Sequence, residues 1–413
     1  MQSMQQLEQQ DFSIQGITTA NLIETYGSPL YVYDAQVIRH KISLLQEAFK
    51  KVNLKIKYAC KANTNLTILR LMREQGVELD VVSPGELEMG KLAGYEASQI
   101  TFTPSGVPFQ EVQEAIETGA IVNIDSIPLL EWFGKTYGAT KPCMIRIKPN
   151  VAAGGNAKIM TAHADSKFGI SVLLLDDILQ IVNQYSIKVV GLHQHTGSDI
   201  KDAEPFLLVA DILLKAAKSF KDLEIIDLGG GFKVSYKPGD EITDMALLGE
   251  KISERFLNFC KEYGRELQLW FEPGKFLVSE SGYLLSKVTV VKNDPARNFV
   301  HLDSGLNHLI RPMMYGSYHH ILNTTNPGGM EKKYNIVGYI CETDTFASDR
   351  LLPEVSQNDI LAFMNAGAYG FTMSSNYNAR FKTAEVLVDN GAAKLIRRRE
   401  TLEDLLRTQE DLA

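Results

Sequence analysis

The chain has 413 residues, which is enough to bury a large core and suggests two or three structural units. Its formal net charge of -8 argues against a surface for nucleic acid or anionic membrane, because such surfaces need clustered positive charge. The four cysteines lie far apart without a CxxC pair, so neither a disulfide framework nor a zinc site is expected. The lack of paired cysteines and the lack of an apolar signal segment at the N-terminus together favour a cytoplasmic protein.

Short β-prone runs alternate with helical patterns between residues 54 and 272. The runs are Leu54–Tyr58, Glu78–Val82, Ile100–Phe102, Ile121–Ile124, Met144–Ile147, Val189–Leu192, Glu224–Leu228 and Leu269–Phe271. Eight strand–helix repeats predict a parallel (β/α)8 TIM-like barrel in the α/β class. A doubly wound open sheet is the alternative, but the glycine-rich turn that often follows its first strand is absent here.

A polar residue follows each of these runs. Because the carboxyl ends of barrel strands converge on one mouth, these side chains are predicted to surround a single site. They are Lys61, Ser83, Ser105, Asp125, Lys148, His193 with His195, Asp227 before a glycine run, and Glu272.

After about Ser281 the pattern changes to strands without helices between them, which predicts a second, antiparallel β domain. The predicted strands are Tyr283–Lys292, Phe299–Leu302, Tyr334–Cys341, Asp359–Asn365 and Ala384–Val388, followed by a helix from Thr401. We therefore expect a barrel domain over residues 34–280. Residues 1–33 and 281–413 are expected to form the β-rich domain.

Lys61 follows an apolar strand, where an ammonium group is costly to bury unless it is paired or neutralised. A lysine with a lowered pKa can attack a carbonyl and form a Schiff base. A surface lysine at the end of a strand is the simpler interpretation of this residue taken alone.

Two further motifs follow the sixth and seventh strands. Gly229, Gly230 and Gly231 would let backbone amides approach an anion such as phosphate, although a tight turn without a ligand fits equally well. His193 and His195 alternate as metal ligands do, but no third ligand is evident, so no metal is expected. An imidazole stacked on a flat ring is the other functional interpretation, and a structural role is the simplest.

Glu272 ends the eighth strand, where a carboxylate suits a pyridinium nitrogen, or simply pairs with a nearby lysine. Taken together, these groups match a pyridoxal phosphate (PLP) site: a lysine, a histidine, a glycine turn and a carboxylate. The chain resembles the alanine-racemase-fold (fold type III) PLP-dependent decarboxylases, in the family's order and over nearly its whole length. The matching stretches are Tyr58–Asn63, Ser166–Gly169, His193–Ser198, Gly229–Phe232, Glu272–Gly274, Asp303–Gly305 with Asn307, Leu309–Pro312 with Tyr315, Cys341–Glu342 and Asn365–Gly370.

The resemblance implies a role for each matching residue. Lys61 would hold PLP covalently, His195 would stack on its ring, and Glu272 would pair with its nitrogen. The phosphate would lie near Ser198, Gly230, Gly231, Gly274, Lys275 and Tyr369.

The resemblance also implies a decarboxylase that acts as a homodimer with shared active sites. Substrate would contact Lys275, Arg311, Tyr315, Glu342 and Tyr369, and Cys341 would protonate the carbanion left by carbon dioxide. The substrate expected is the diamino acid meso-2,6-diaminoheptanedioate, giving L-lysine.

Other functions stay open at this stage. Decarboxylases of carboxynorspermidine, ornithine or lysine use the same scaffold, and an inactive homologue could act as a binding protein. A racemase is disfavoured, because no second base is evident.

Two positions depart from the family pattern. Residue 275 is lysine where the family usually has arginine, which loses the rigid fork but keeps the charge. The stretch from Cys341 to Asp344 is also one residue shorter than usual, so a role for Asp344 is less secure.

Overall fold

The computed structural model describes residues 12–151 and 166–410. The N-terminal residues on which the expectation of no signal segment rests lie outside these described ranges. The chain divides into two compact units. We call residues 40–234 and 241–277 the barrel unit, and residues 1–39, 235–240 and 278–413 the sheet unit.

The barrel unit contains eight parallel strands that close on themselves, which confirms the predicted fold class. The sixth strand pairs with both the seventh and the fifth, so that Leu192 lies opposite Ile226 and also opposite Ile145. The strands are Leu54–Ala59, Glu78–Val81, Ile100–Phe102, Ile121–Ile124, Pro142–Lys148, Lys188–His193, Ile225–Asp227 and Gln268–Phe271. A short strand, Ile170–Ser171, pairs with the fifth.

Helices join successive barrel strands and bury their apolar stripe. In Leu66–Glu74 the buried residues Ile68, Leu69, Leu71 and Met72 recur at helical spacing, and Asn65 caps the first turn through Thr67 N. The other helices of this layer are Pro84–Leu92, Phe109–Thr118, Ile127–Tyr137, Leu175–Tyr185, Ala203–Ala217 and Met245–Tyr263, and a further helix, Ala35–Ala48, precedes the first barrel strand. A short helix, Lys275–Val278, follows the last strand.

The sheet unit is built on a mixed sheet in which most neighbouring strands are antiparallel. Leu30–Asp34 pairs in parallel with Ala384–Asp389, and Asn298–Leu302 pairs in parallel with Glu331–Val337. Parallel pairing is accessible here because each connection exceeds the roughly dozen residues that a crossover needs. The remaining strands are Ser13–Ile14, Ile17–Thr18, Gly282–Asn293, Ile321–Asn323, Thr345–Pro353, Ile360–Phe363 and Ala392–Arg397, and the helices are Thr19–Tyr26, Arg311–Tyr315 and Leu402–Leu406.

Each unit has its own apolar core. Leu30, Val32, Leu285 and Val386 belong to a buried cluster in the sheet unit. Met144, Val190, Ile225 and Trp270 form a cluster from barrel strands. Among residues 12–151 and 166–410, no helix is both long and apolar enough to cross a membrane.

One strand of the sheet unit ends earlier than the sequence predicts. The run predicted as Tyr334–Cys341 stops at Val337, opposite Thr345. The backbone then turns, because Gly338 N donates to Asp344 O at 2.8 Å. Cys341 therefore lies in an exposed loop and not in a strand.

Candidate active site

Lys61 lies just beyond the first barrel strand, in a single 3₁₀ turn formed by Cys60–Ala62. The strand cannot continue because the Asn63 side chain accepts from Asn65 N at 3.0 Å and turns the chain into the next helix. The Lys61 ammonium donates to Asp80 Oδ2 at 2.9 Å. The lysine side chain is 40% exposed whereas that of Asp80 is 1% exposed, so a buried carboxylate holds a reachable amine.

Asp80 is a functional candidate that the sequence analysis missed, because it lies inside the second strand and not after it. Its pKa is raised by burial and by the charge of Glu272. The sequence signal that could have identified Asp80 was a carboxylate within a short, apolar strand. The same applies to Arg146, a charged residue inside the fifth strand whose side chain is buried near the charges of Glu272 and Asp80.

Glu272 follows the eighth strand and is 6% exposed. Its Oε2 lies 3.0 Å from Nε2 of His193, which is fully buried. Burial raises the pKa of Glu272, but the charge of His193 and the hydrogen bond to it outweigh burial, and the net pKa is lowered. The other carboxylate oxygen, Oε1, is buried and has no hydrogen-bond partner among residues 12–151 and 166–410. An ionised carboxylate with one free buried oxygen calls for a cationic donor.

Asp227, at the end of the seventh strand, completes a buried cluster with His193 and Glu272. One ligand atom of each lies within 4.8 Å of the others, which is close enough for a metal ion. However, the His193 nitrogen and the Glu272 oxygen are in direct hydrogen-bond contact, which a shared ion would have to break. Burial and the charge of Glu272 raise the pKa of Asp227 well above its ordinary value. We interpret the cluster as a place where protons are shared.

His195 is half-buried two residues further along. Gly230 N donates to His195 Nδ1 at 3.0 Å, which leaves the proton of a neutral ring on Nε2. Burial and the nearby charge of Arg146 lower the pKa of His195 to about 3. A neutral imidazole with a fixed tautomer is suited to lie flat against an aromatic ring.

The glycine turn packs directly against the loop that carries His195. A Cβ on Gly229 would lie 2.6 Å from Gln194 O, and one on Gly231 would lie 2.4 Å from Gly197 O. Gly229 and Gly231 also have positive φ angles, of 66° and 109°. These glycines are therefore required for the two loops to meet, whether or not a phosphate binds there.

Lys275 contacts two residues of the sixth-strand loop. Its ammonium lies 2.9 Å from Ser198 Oγ and 2.9 Å from each carboxylate oxygen of Asp199. Asp199 was not singled out from the sequence. Gly274 lies beside the turn that carries Lys61, because a Cβ there would come within 3.1 Å of Ala59 and Ala62.

The remaining strand-end residues have local roles in the structure. Ser83 caps a helix by accepting from Glu86 N at 3.2 Å. Lys148 donates to Ser166 O at 3.1 Å. Burial raises the pKa of Asp125, although the Ser105 hydroxyl bonds to it. The structure thus brings Lys61, His193, His195, Asp227 and Glu272 into one electrostatically coupled group.

In the sheet unit, Arg311 is 7% exposed, and its guanidinium carbon lies 5.6 Å from the ring centroids of both Tyr315 and Tyr369. Its Nε atom is buried and has no hydrogen-bond partner in the part of the chain that the structure describes. Tyr369 has a positive φ of 57°, a strained conformation for a bulky residue. A buried guanidinium with an unused donor suits a carboxylate ligand.

Cys341 and Glu342 form the exposed tip of a loop in the sheet unit. Asp344 closes its base, since its carboxylate accepts from Leu306 N at 2.7 Å and from Ile340 N at 2.9 Å. This gives Asp344 a structural role that the shortened motif left open. The other three cysteines, Cys60, Cys143 and Cys260, are buried.

The residues of the barrel unit fit pyridoxal phosphate, as their burial and contacts show. Glu272 offers a free buried carboxylate oxygen to a protonated ring nitrogen, and His195 offers a neutral ring face. Lys61 offers an amine just beyond the neighbouring strand, since Phe271 and Ile56 of the two strands pair. These residues match what the cofactor needs from its protein: orientation, ring electronics and a covalent anchor.

Comparison with known proteins gives consistent results. The family model for the pyridoxal binding domain of pyridoxal-dependent decarboxylases matches residues 35–279. A diaminopimelate decarboxylase of Methanothermobacter thermautotrophicus is 38% identical and covers 96% of this chain and 95% of its own. The diaminopimelate decarboxylase of Escherichia coli strain K12 is 36% identical, covering 94% of this chain and 96% of its own.

Solved structures agree with these relatives. A diaminopimelate decarboxylase of Helicobacter pylori complexed with L-lysine has a TM-score of 0.87 at 33% identity, covering 94% of this chain and 98% of its own. A lysine/ornithine decarboxylase of Vibrio vulnificus has a TM-score of 0.77 at 20% identity, covering 89% of this chain and 96% of its own. The second comparison shows the fold alone.

Proposed function

This chain belongs to the family of pyridoxal-dependent decarboxylases, and within that family we propose that it converts meso-2,6-diaminoheptanedioate to L-lysine and carbon dioxide. It is a carboxy-lyase that uses pyridoxal phosphate. The observation that carries this function is a reachable amine, Lys61, and a buried carboxylate, Glu272, just beyond the ends of two neighbouring strands.

In the bound enzyme the cofactor supplies the electron sink that makes loss of carbon dioxide feasible. Glu272 would keep the ring nitrogen protonated through Oε1, while His193 holds Oε2. His195 would support the ring face, and Lys61 would anchor the cofactor. Ser198, Gly230, Gly231, Gly274 and Lys275 are assigned to the phosphate side, where loop amides and an ammonium favour an anion.

Substrate binding is assigned mainly to the sheet unit. Arg311 takes a carboxylate of the substrate, flanked by Tyr315 and Tyr369, and its buried unpaired Nε supports this assignment. Glu342 takes the distal ammonium. Lys275 contributes positive charge, but both oxygens of Asp199 already hold it, so its contact with substrate is weaker than that of an arginine fork.

Cys341 is assigned the proton transfer that completes the reaction. Its thiol gives a proton to the carbon from which carbon dioxide has left. Support comes from its exposure at a loop tip beside Glu342, which contrasts with the buried state of the other three cysteines.

The exposure of Cys341 and Glu342 also supports a homodimer in which this loop reaches the partner subunit's active site. A functional thiol and carboxylate that lie in solvent need a second surface to exclude water from them. We further propose a cytoplasmic location, supported by four cysteines that are all free. Cell fractionation with an antibody to the chain tests that location.

The function is tested by comparing the wild-type protein with Lys61→Ala. Wild-type protein incubated with pyridoxal phosphate should be yellow, and the band of the covalently held cofactor should disappear in the variant. Activity should fall by more than about 10⁴-fold, because an acid–base group and a covalent anchor are lost together. Lys57→Ala is the matched control, since Lys57 lies on the strand that leads to Lys61 but is fully buried against Glu78.

The substrate is tested by measuring carbon dioxide release from meso-diaminoheptanedioate, ornithine, lysine and carboxynorspermidine side by side. We expect the first to react fastest. If another amine reacted and meso-diaminoheptanedioate did not, the proposed substrate would be wrong. If wild-type protein stayed colourless after incubation with pyridoxal phosphate, the proposal that the chain is a pyridoxal phosphate enzyme would be wrong.

A further inference from the structure

Two neighbouring residues contact the loop tip: Asn378 contacts Cys341, and Tyr377 contacts Glu342. Asn378 Nδ2 donates to Cys341 Sγ at 3.1 Å, and the thiol lies 3.5 Å from Asn378 Oδ1. The Tyr377 hydroxyl donates to Glu342 Oε1. Neither Tyr377 nor Asn378 was singled out by the sequence analysis, and the comparisons assign them no role.

The backbone around Asn378 is held in an uncommon conformation. Asn378 and Ala379 have successive positive φ angles of 57° and 55°. Asn376 Nδ2 bridges this turn by donating to Arg380 O at 3.0 Å, and the Arg380 guanidinium lies 4.0 Å from the Tyr339 ring centroid. Consecutive left-handed residues cost conformational energy, and such strain concentrates where side chains must be aimed.

The loop tip is thus held from two directions. Asp344 fixes its base through Leu306 N and Ile340 N, and the turn that contains Tyr377 and Asn378 fixes the side chains. An amide is also the right group beside a thiol that loses and regains a proton. Its oxygen accepts from the thiol, and its N–H donates to the thiolate.

We propose that Asn378 and Tyr377 are positioning residues for Cys341 and Glu342, an inference that rests on the proposed function. Asn378 orients the thiol and stabilises negative charge on sulfur. In the step concerned, the Cys341 S–H bond breaks, a C–H bond forms at the carbon that lost carbon dioxide, and the thiolate regains a proton from water. Tyr377 orients Glu342 toward the substrate ammonium.

The two residues should therefore give opposite kinetic signatures. Asn378→Gly keeps the positive φ but removes the amide, and it should lower kcat by about tenfold or more with little change in KM, as expected for a lost charge-assisted hydrogen bond. Tyr377→Phe removes only a hydroxyl and should raise KM with kcat nearly unchanged. Each variant is the control for the other.

A readout independent of turnover is alkylation of Cys341 by iodoacetamide in the full-length, cofactor-loaded protein, followed by mass spectrometry. Asn378→Gly should slow alkylation at fixed pH by about tenfold, because the thiolate is the nucleophile and loses its donor. Removing the amide also uncovers the sulfur, so a slower rate is chemical and not steric. Tyr377→Phe should leave the rate unchanged.

Asn378→Asp is the second variant if the glycine variant fails to fold, since aspartate also tolerates positive φ and its carboxylate repels the thiolate. It should slow alkylation further. An unchanged or faster rate in the folded Asn378 variants would overturn the proposal. Failure of the proposed function would instead appear as wild-type protein that releases no carbon dioxide from meso-diaminoheptanedioate.

Discussion

The barrel unit and the sheet unit carry their candidate groups in opposite environments. Glu272, His193 and Asp227 are 6%, 0% and 0% exposed, whereas Cys341 and Glu342 lie in solvent. The buried groups are set by their neighbours within one chain, as the pKa shifts of Glu272 and Asp227 show. For Cys341 and Glu342 the chain fixes only the position, and their reactivity depends on the surface that covers them.

Arg311 departs from this division, because it lies in the sheet unit and is nevertheless buried between Tyr315 and Tyr369. An arginine keeps its charge when buried, so only its direction has to be controlled. A thiol that must transfer a proton needs access as well as direction. The comparison therefore separates groups that need only a fixed direction, which can be buried, from a thiol that also needs access and lies at an exposed loop tip.

The strongest way to break this comparison is a complementation experiment with two inactive variants. Lys61→Ala destroys the barrel site and Cys341→Ala removes the loop thiol, so each alone should be nearly inactive. If the loop serves the partner subunit, mixing the refolded chains should recover up to about a quarter of wild-type activity, because half the dimers then contain one intact site. Activity of the mixture is measured as lysine formed per minute.

Two controls accompany that mixture. Each variant refolded alone fixes the background, and a chain carrying both substitutions mixed with the Lys61→Ala chain should recover nothing. No recovery in the first mixture would place the loop in its own subunit's site.

The buried side of the comparison is sharpened by Glu272→Gln. This change removes the charge opposite His193 and should lower kcat by about 10²- to 10³-fold, the scale seen when one preorganised electrostatic group is lost. The cofactor absorption spectrum should change its pH dependence at the same time.

Glu385→Gln is the matched control for Glu272→Gln, because Glu385 is a fully buried carboxylate of the sheet unit that pairs with Tyr33 and Arg397. It should lower stability and leave kcat unchanged. Equal kcat values for Glu272→Gln and wild type would remove Glu272 from the site.

The smallest expected effect is a loss of stability in mild acid, shared by both units. Burial lowers the pKa of His195 to about 3 and that of His308 to about 4, so both are neutral when folded. Unfolded histidine titrates near pH 6.5. Their stabilisation is therefore complete above about pH 6.5 and is lost as pH falls toward those values, by up to about 1.4 kcal/mol per pH unit for each histidine.

Urea unfolding between pH 7.5 and 5, followed by hydrogen exchange in each unit, measures this loss. His195→Gln should flatten the pH dependence in the barrel unit, and His308→Gln should flatten it in the sheet unit. If the free energy of unfolding depended on pH in a variant as it does in wild type, the histidine concerned would already be protonated in the folded protein.

The sequence predicted the barrel well because its signals are local. The strands Ile100–Phe102 and Ile121–Ile124 have the predicted limits, since a short apolar run fixes each one. In the sheet unit the strands Thr345–Pro353 and Ala392–Arg397 were not predicted. Their residues mix polar and apolar types, and distant partners decide their pairing.

By itself, the sequence determined the order of the motifs and the residue types that can perform the chemistry, from Lys61 to Cys341. Only the tertiary structure decided which of them meet. It separated Lys57, buried and paired with Glu78, from Lys61, which stays reachable beside Asp80. Asp80 and Asn378 became candidates only through contacts across 19 and 37 residues of chain. Such contacts follow from sheet closure and loop packing, which no local pattern of residues records.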